Sequence, residues 1–274
     1  MTRNSKLNVR QLQFLENQNL EDDSGFHIKK RTIAKALEIR DQSELPIPEP
    51  PFLKYGHSQE KFVETGQRDS QILRDALLQH GVDPEQGPGR ILEFGCANAR
   101  ILRWFCDWAK YHEAWGVDLN AAQIFWCHQN LSPPFHFAVS TTAPHLFFED
   151  RFFSLVFCMS VFTHIDDLYL SWICELRRVT QVGGFVYITI HDETTHEIQA
   201  ARNSPNLKSR MKSNAYQEFL EQNSDFCAVG RDWKSMISFK RDYLLEHMAN
   251  YFEIAGVFER ALSQSQTAIL LRRK

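Results

Sequence analysis

The sequence predicts an α/β fold: a Rossmann-like seven-stranded sheet with a C-terminal antiparallel hairpin, an N-terminal helical arm and an inserted lid. Three features predict it. Short apolar runs alternate with stretches whose apolar residues recur at helical spacing. The first run, residues 91–94, is broken only by Glu93 and passes through the small-residue turn Gly95-Cys96-Ala97-Asn98-Ala99 into one of those stretches. Two runs near the end of the chain, 252–258 and 267–271, can pair antiparallel across Ser263-Gln264-Ser265-Gln266.

Residues 1–40 are polar, with helices expected over 9–17 and 28–39 around the acidic break Glu21-Asp22-Asp23. Pro46, Pro48, Pro50 and Pro51 fit neither a helix interior nor a central strand, so they form an extended connector. Residues 1–56 are therefore an arm with its connector, and 57–274 are the main domain. Apolar positions between Phe62 and Leu77 predict one or two helices, broken near Gly66, before Gly81, Gly87, Pro88 and Gly89 lead into the core.

After the first strand, Ile101, Leu102, Phe105 and Trp108 predict a helix. A second strand, 113–117, ends at Asp118; a helix over 121–129 stops before Pro133-Pro134; a third strand covers 135–139. Residues 152–159 are almost wholly apolar, as in a strand buried on both faces. Thr163 with Asp166 resembles a capping box and opens a helix running to Val179. Gly183-Gly184 turns into a fifth strand, 185–190, which ends on His191-Asp192-Glu193. Residues 194–233 are polar with scattered aromatics, long for a connection, and are expected to form a lid, with a surface excursion or dimer contact as the alternative.

Composition bounds the function. The 274 residues are 43% hydrophobic and 24% charged, enough for a sizeable core. A net charge of −3 gives no electrostatic case for nucleic acid. The six cysteines contain no C-x-x-C pair and several lie in apolar runs, which argues for a reducing compartment and against a metal site. The polar N-terminus and the lack of any long apolar run predict a cytoplasmic chain with no membrane partner. A homodimer is possible.

The turn narrows the ligand. A dinucleotide site needs glycines where this chain has Ala97 and Ala99, whose methyl groups hinder a pyrophosphate. S-adenosylmethionine (SAM) has no phosphate, and its cationic end favours an acid nearby, which Glu93 supplies. Asp118, 23 residues past Gly95, stands where a carboxylate can bind ribose hydroxyls.

With these motifs in order, ILEFGCANAR, GVDL, PHLFFED, SVFTHI and ELRRVTQVGG, residues 90–192 resemble the class I SAM-dependent methyltransferases, in particular a small-molecule group. The resemblance extends more weakly from about Ile47 to the C-terminus. It implies that Glu93, Gly95, Cys96 and Ala97 line the methionine side of SAM. Asp118 would hold the ribose, Leu119 the adenine face, and Thr141 and Thr142 the adenine edge. Met159 and Ser160 would close the site beneath the sulfonium. The chain departs from many relatives in having Ser140-Thr141-Thr142 rather than an acid after the third strand, and Ser154 rather than aspartate.

A methyltransferase must exclude water, align a small-molecule acceptor and manage one proton. An oxygen acceptor, sugar-like or a secondary metabolite, calls for a general base. His164 and His191 follow the ends of central strands, where ligands bind in open α/β sheets, and both are candidates. Either could instead simply pack against backbone. The alternatives to an active methyltransferase are a non-catalytic partner subunit of the same fold and, less favoured, an NAD-dependent oxidoreductase.

Overall fold

The computed structural model describes residues 45–49, 53, 58–83, 85–221, 224–230 and 235–274. The helices expected over 9–17 and 28–39, and parts of the proline connector and of the insertion, lie outside the described residues. The chain divides into two compact units, Met1–Leu155 and Val156–Lys274.

In the first unit, helix α1 (Gln59–Leu78) begins where the Ser58 hydroxyl accepts the Lys61 N–H. It runs unbroken through Gly66, contrary to the expected break. A Cβ there would lie 2.3 Å from the Arg100 carbonyl oxygen and 2.8 Å from Trp104 Nε1. The glycine is a point of close packing that brings α1 against residues 100–104. Around it, the buried carboxylate of Asp69 takes Arg100 at 2.8 Å, and Arg74 spans to Asp107 at 2.6 Å. Arg103, itself buried, donates to the carbonyls of Leu45 and Pro46, which ties the start of the connector down.

Strands β1 (Ile91–Phe94), β2 (Ala114–Asp118) and β3 (His136–Val139) pair in parallel, with Glu93 opposite Gly116 and Trp115 opposite His136. Helix α2 (Ala121–Leu131) crosses between the last two, its first N–H groups received by Asn120 Oδ1. The helix expected at 101–108 is absent as an α-helix. The segment forms two 3₁₀ turns, Leu102–Phe105 and Trp108–Lys110. The Leu102 N–H goes to the Glu93 carboxylate, and the Trp104 N–H bonds Ile101, three residues back.

Strand β4 (Phe153–Cys158) is fully buried along its length, as its apolar run predicted. In the second unit, helix α3 (Tyr169–Val179) begins six residues later than the sequence suggests. The Thr163 hydroxyl bonds Ser160 and its carbonyl accepts Ile237 N–H, so the capping box does not form. Strand β5 (Thr180–Ile190) starts ahead of the glycine pair and includes it.

The 194–233 insertion is more structured than its polarity implies. It contains most of helix α4 (Glu193–Ala201), helices α5 (Pro205–Arg210) and α6 (Asn214–Leu220), and strand β6 (Phe226–Val229), which pairs antiparallel with β7 (Met236–Phe239). Leu207, Tyr216, Phe219 and Cys227 form a small core of their own, so these aromatics pack together rather than stand on display. Helix α7 (Arg241–Ala249) then leads to β8 (Phe252–Leu262) and β9 (Gln266–Arg273), the expected terminal hairpin. Strand β9 pairs antiparallel with β5 from Phe185–Arg272 to Ile190–Thr267. The main sheet has seven strands in the order β3-β2-β1-β4-β5-β9-β8. No helix among the described residues is long and apolar enough to cross a membrane.

Candidate active site

The turn after β1 has an unusual backbone. Gly95, Ala97 and Ala99 all take left-handed φ values, 80°, 48° and 54°. Glycine does so freely, but alanine there costs on the order of 1 kcal/mol, so something must hold the turn. Two acids do. Asp118 Oδ2 accepts the Ala97 N–H at 2.8 Å while Oδ1 accepts Asn120 N–H at 2.9 Å. Glu93 Oε2 accepts Leu102 N–H at 2.9 Å. From beneath, the Val117 carbonyl receives the N–H groups of both Gly95 and Cys96.

Glu93 is buried, and burial pushes its carboxyl up to about 8 against the opposing pull of the Leu102 N–H and Arg100. A cation brought near would favour its charged form. Cys96 and Cys127 both direct their thiols at the Ala97 carbonyl, at 3.7 and 3.5 Å. Burial raises both thiols well above their usual range, which makes them packing groups rather than nucleophiles. Asn98 is buried, and its Nδ2 has no hydrogen-bond partner. An orphaned donor in a turn held open by acids suits a ligand with a cationic end and a carboxylate, which is the methionine end of SAM. Just beyond, Leu119 is 56% exposed, and Thr141 and Thr142 are exposed after β3.

The second unit gathers the other predicted residues. Met159 is buried, and Ser160 takes φ 60°. A closed ring of bonds fixes Ser160: its N–H donates to Thr189 Oγ1 at 2.7 Å, Thr189 donates to Gln266 Oε1 at 2.7 Å, and Gln266 Nε2 returns to Ser160 Oγ at 3.0 Å. His164 Nδ1 lies 2.7 Å from the Ser235 carbonyl oxygen. That oxygen can only accept, so Nδ1 carries a proton, and in the neutral ring the lone pair lies on Nε2.

His191 is buried, and its Nδ1 has no hydrogen-bond partner. Burial first, then the charges of Arg210 and His164, push it down to about 3. The two histidines that the sequence treats alike are thus close enough to influence one another. Asp192 and Glu193 serve as local ties: Asp192 forms a capping box with Thr195, and the Glu193 carboxylate accepts the Arg241 N–H. Sequence reasoning missed Thr189, Gln266, Asn98 and Arg210. Gln266 reads as hairpin loop and Arg210 as one charge in a polar stretch, so neither had a pattern to reveal it.

A profile for the methyltransferase domain matches residues 92–188, from within β1 to near the end of β5. Among solved structures, the chain is similar to a protein from Pyrococcus horikoshii, at 16% identity and TM-score 0.54, over 82% of this chain and 96% of that one. It is also similar to a SAM-dependent methyltransferase from Methanosarcina mazei, at 18% and 0.51, over 72% and 96%. A third is the 1,6-didemethyltoxoflavin-N1-methyltransferase of Burkholderia thailandensis, solved with that compound and S-adenosylhomocysteine, at 14% and 0.51, over 77% and 79%. At such identities the likeness is one of fold. No curated protein matches the chain in sequence.

The domain match defines an enzyme of the methyl-transferring class, and the solved structures agree with it in fold. Residues 92–188 carry a methyltransferase domain, whose cofactor is SAM.

Proposed function

We propose that the enzyme methylates an oxygen of a small sugar-like or secondary-metabolite acceptor, with His164 taking the proton. The observation that carries this reading is the bond from His164 Nδ1 to the Ser235 carbonyl, which fixes the tautomer with the lone pair on Nε2. A hydroxyl is a poor nucleophile until its proton has somewhere to go, whereas SAM brings an already activated methyl group on a cationic sulfur. His191 is the weaker choice, because a base held near 3 has little driving force to accept a proton at neutral pH.

On the cofactor side, Asp118 would hold the ribose hydroxyls and Gly95, Cys96 and Ala97 the methionine end, with Glu93 as the nearby acid. Leu119, Thr141 and Thr142 would border the adenine. Met159 and Ser160, the latter fixed by the Thr189–Gln266 ring, would border the reactive end. Residues 194–233 would select the acceptor as a lid whose rigidity comes from its own core.

The test is transfer from methyl-labelled SAM to a library of small hydroxylated compounds and their amine counterparts. Label appearing on hydroxyls, and lost in His164→Ala, supports the reading. Label appearing on nitrogen or carbon alone overturns the oxygen assignment.

A further inference from the structure

Arg210 is the most unusual charge in the second unit. It ends helix α5, is 2% exposed, and each of its contacts is neutral. One terminal nitrogen donates to Gln199 Oε1, the other reaches Ser238 Oγ at 3.4 Å, and the guanidinium lies 5.1 Å from the Tyr216 ring centre. Its Nε has no partner, and no carboxylate among the described residues pairs with it.

Other buried or half-buried arginines are served differently. Arg100 meets Asp69, Arg103 meets two backbone carbonyls, and Arg273 meets the carbonyls of Arg177, Arg178 and Thr180. Those are completed structural ties. A guanidinium cannot shed its proton to escape burial, so an arginine left with one amide, one distant hydroxyl and a ring face is costly to keep. The cation–π contact offsets only part of that cost.

Its charge is felt by its neighbours. The charge of Arg210 bears on both His191 and His196, Lys240 also bears on His196, and Lys240 Nζ sits 4.5 Å from the Phe219 ring centre. His191 adds an unpartnered nitrogen. Nδ1 is free to bond a ligand hydroxyl.

We infer that the methyl acceptor carries an anionic group, a carboxylate or a phosphate ester, and that Arg210 receives it while His191 Nδ1 bonds a hydroxyl. This names the substrate class of the methyltransferase site and rests on the function proposed above. The ligand is a hydroxylated acid. Its anion completes the coordination that Gln199 and Ser238 leave unfinished.

Calorimetry on the full chain, saturated with S-adenosylhomocysteine, tests this with three probes of one shape: benzoate, phenyl phosphate and neutral benzamide. Benzoate or phenyl phosphate should bind at least about tenfold more tightly than benzamide. Whichever of the two binds better identifies the acceptor as a carboxylic acid or a phosphate ester. Arg210→Gln should erase the difference.

Gln199→Glu is the more searching variant, because it gives Arg210 an internal carboxylate. It should preserve or raise thermal stability and still abolish anion binding, which a purely structural Arg210 would not cause. Should Arg210→Gln fail to fold, the wild-type comparison and Gln199→Glu decide. Equal affinity for the three probes, or anion binding untouched by Gln199→Glu, overturns the inference. Loss of S-adenosylhomocysteine binding in the wild type would instead overturn the assignment of the cofactor site.

Discussion

In Met1–Leu155 the ionisable groups that shape the turn after β1 are acids, Glu93 and Asp118, and backbone N–H groups answer them. In Val156–Lys274 His164 and His191 follow strand ends and Arg210 ends helix α5: His164 bonds the Ser235 carbonyl, Arg210 meets Gln199, Ser238 and the Tyr216 ring, and His191 Nδ1 has no partner. Both units bury ionisable groups, but the acids of the turn have their backbone partners, whereas Arg210 Nε and His191 Nδ1 have none. The difference teaches how the two kinds of site are held. An acid that also accepts from the backbone keeps a strained turn in shape before any ligand arrives. A cation left short of partners contributes little to the fold and waits for a ligand to complete it.

The largest test of this contrast lies in the turn. Gly95→Val places a β-branched side chain at φ 80°, in a conformation such residues rarely adopt, and fills the space above β1. Binding of SAM and of S-adenosylhomocysteine should be abolished while circular dichroism shows a folded chain. Asp118→Ala removes the acceptor of two N–H groups and should weaken binding by about 1.5–3 kcal/mol. Unchanged affinity in both folded variants would remove the cofactor site from this turn.

Next in size is the pair of histidines. His164→Ala should lower kcat by about 10²–10⁴ with SAM affinity nearly intact, and His191→Ala should lower it less. Single-turnover assays with labelled SAM measure both. The reverse ranking would move the base to His191 and show that acceptor binding reshapes its surroundings.

The part of this contrast that was legible in the sequence is the part made of local pattern. The buried strand β4, the turn, Asp118 at the end of β2 and the terminal hairpin all follow from apolar runs and small residues in order. Three features defeated that reading for physical reasons. Gly66 looks like a breaker, but its missing side chain is needed by Arg100 and Trp104, far along the chain. The 101–108 stretch has helical spacing, yet Glu93 takes the Leu102 N–H and tightens it into 3₁₀ turns. Arg210 gains its meaning from what it lacks, and an absent partner leaves no trace in a linear pattern. His191 and His164 are likewise indistinguishable until burial separates them.

The same contrast predicts opposite pH dependences of stability. Glu93 is raised to about 8 in the folded chain, so between its ordinary value of 4.5 and 8 the folded state binds the extra proton. Its contribution is present at low pH and is lost as pH rises through that window. His191 is lowered from 6.5 to about 3, so the unfolded state binds the extra proton between those values. Its contribution is present above 6.5 and is lost as pH falls toward 3. The windows separate cleanly above 6.5 and below 4.5. Urea midpoints for Glu93→Gln should lose the downward slope from pH 6.5 to 8, about 2 kcal/mol. Those for His191→Gln should lose the upward slope from pH 3 to 4.5, of similar size. Parallel wild-type and variant curves would show that the two groups are relaxed or hydrated in solution.

The smallest effect tests how far the charge of Lys240 reaches. Lys240 rests against the Phe219 ring at 4.5 Å and its charge helps hold His196 in the neutral form, after burial and Arg210. Lys240→Gln removes that charge with little change in shape. The lost cation–π contact should cost about 0.5–1 kcal/mol of stability. The more telling readout is the His196 imidazole, followed by NMR titration. Its pKa should rise in Lys240→Gln, and the rise should shrink in high salt, because an interaction across partly exposed side chains is screened. Burial alone would leave the His196 titration where it was. That outcome would separate Lys240 from the cationic group and leave Arg210 as the charge acting on both His191 and His196.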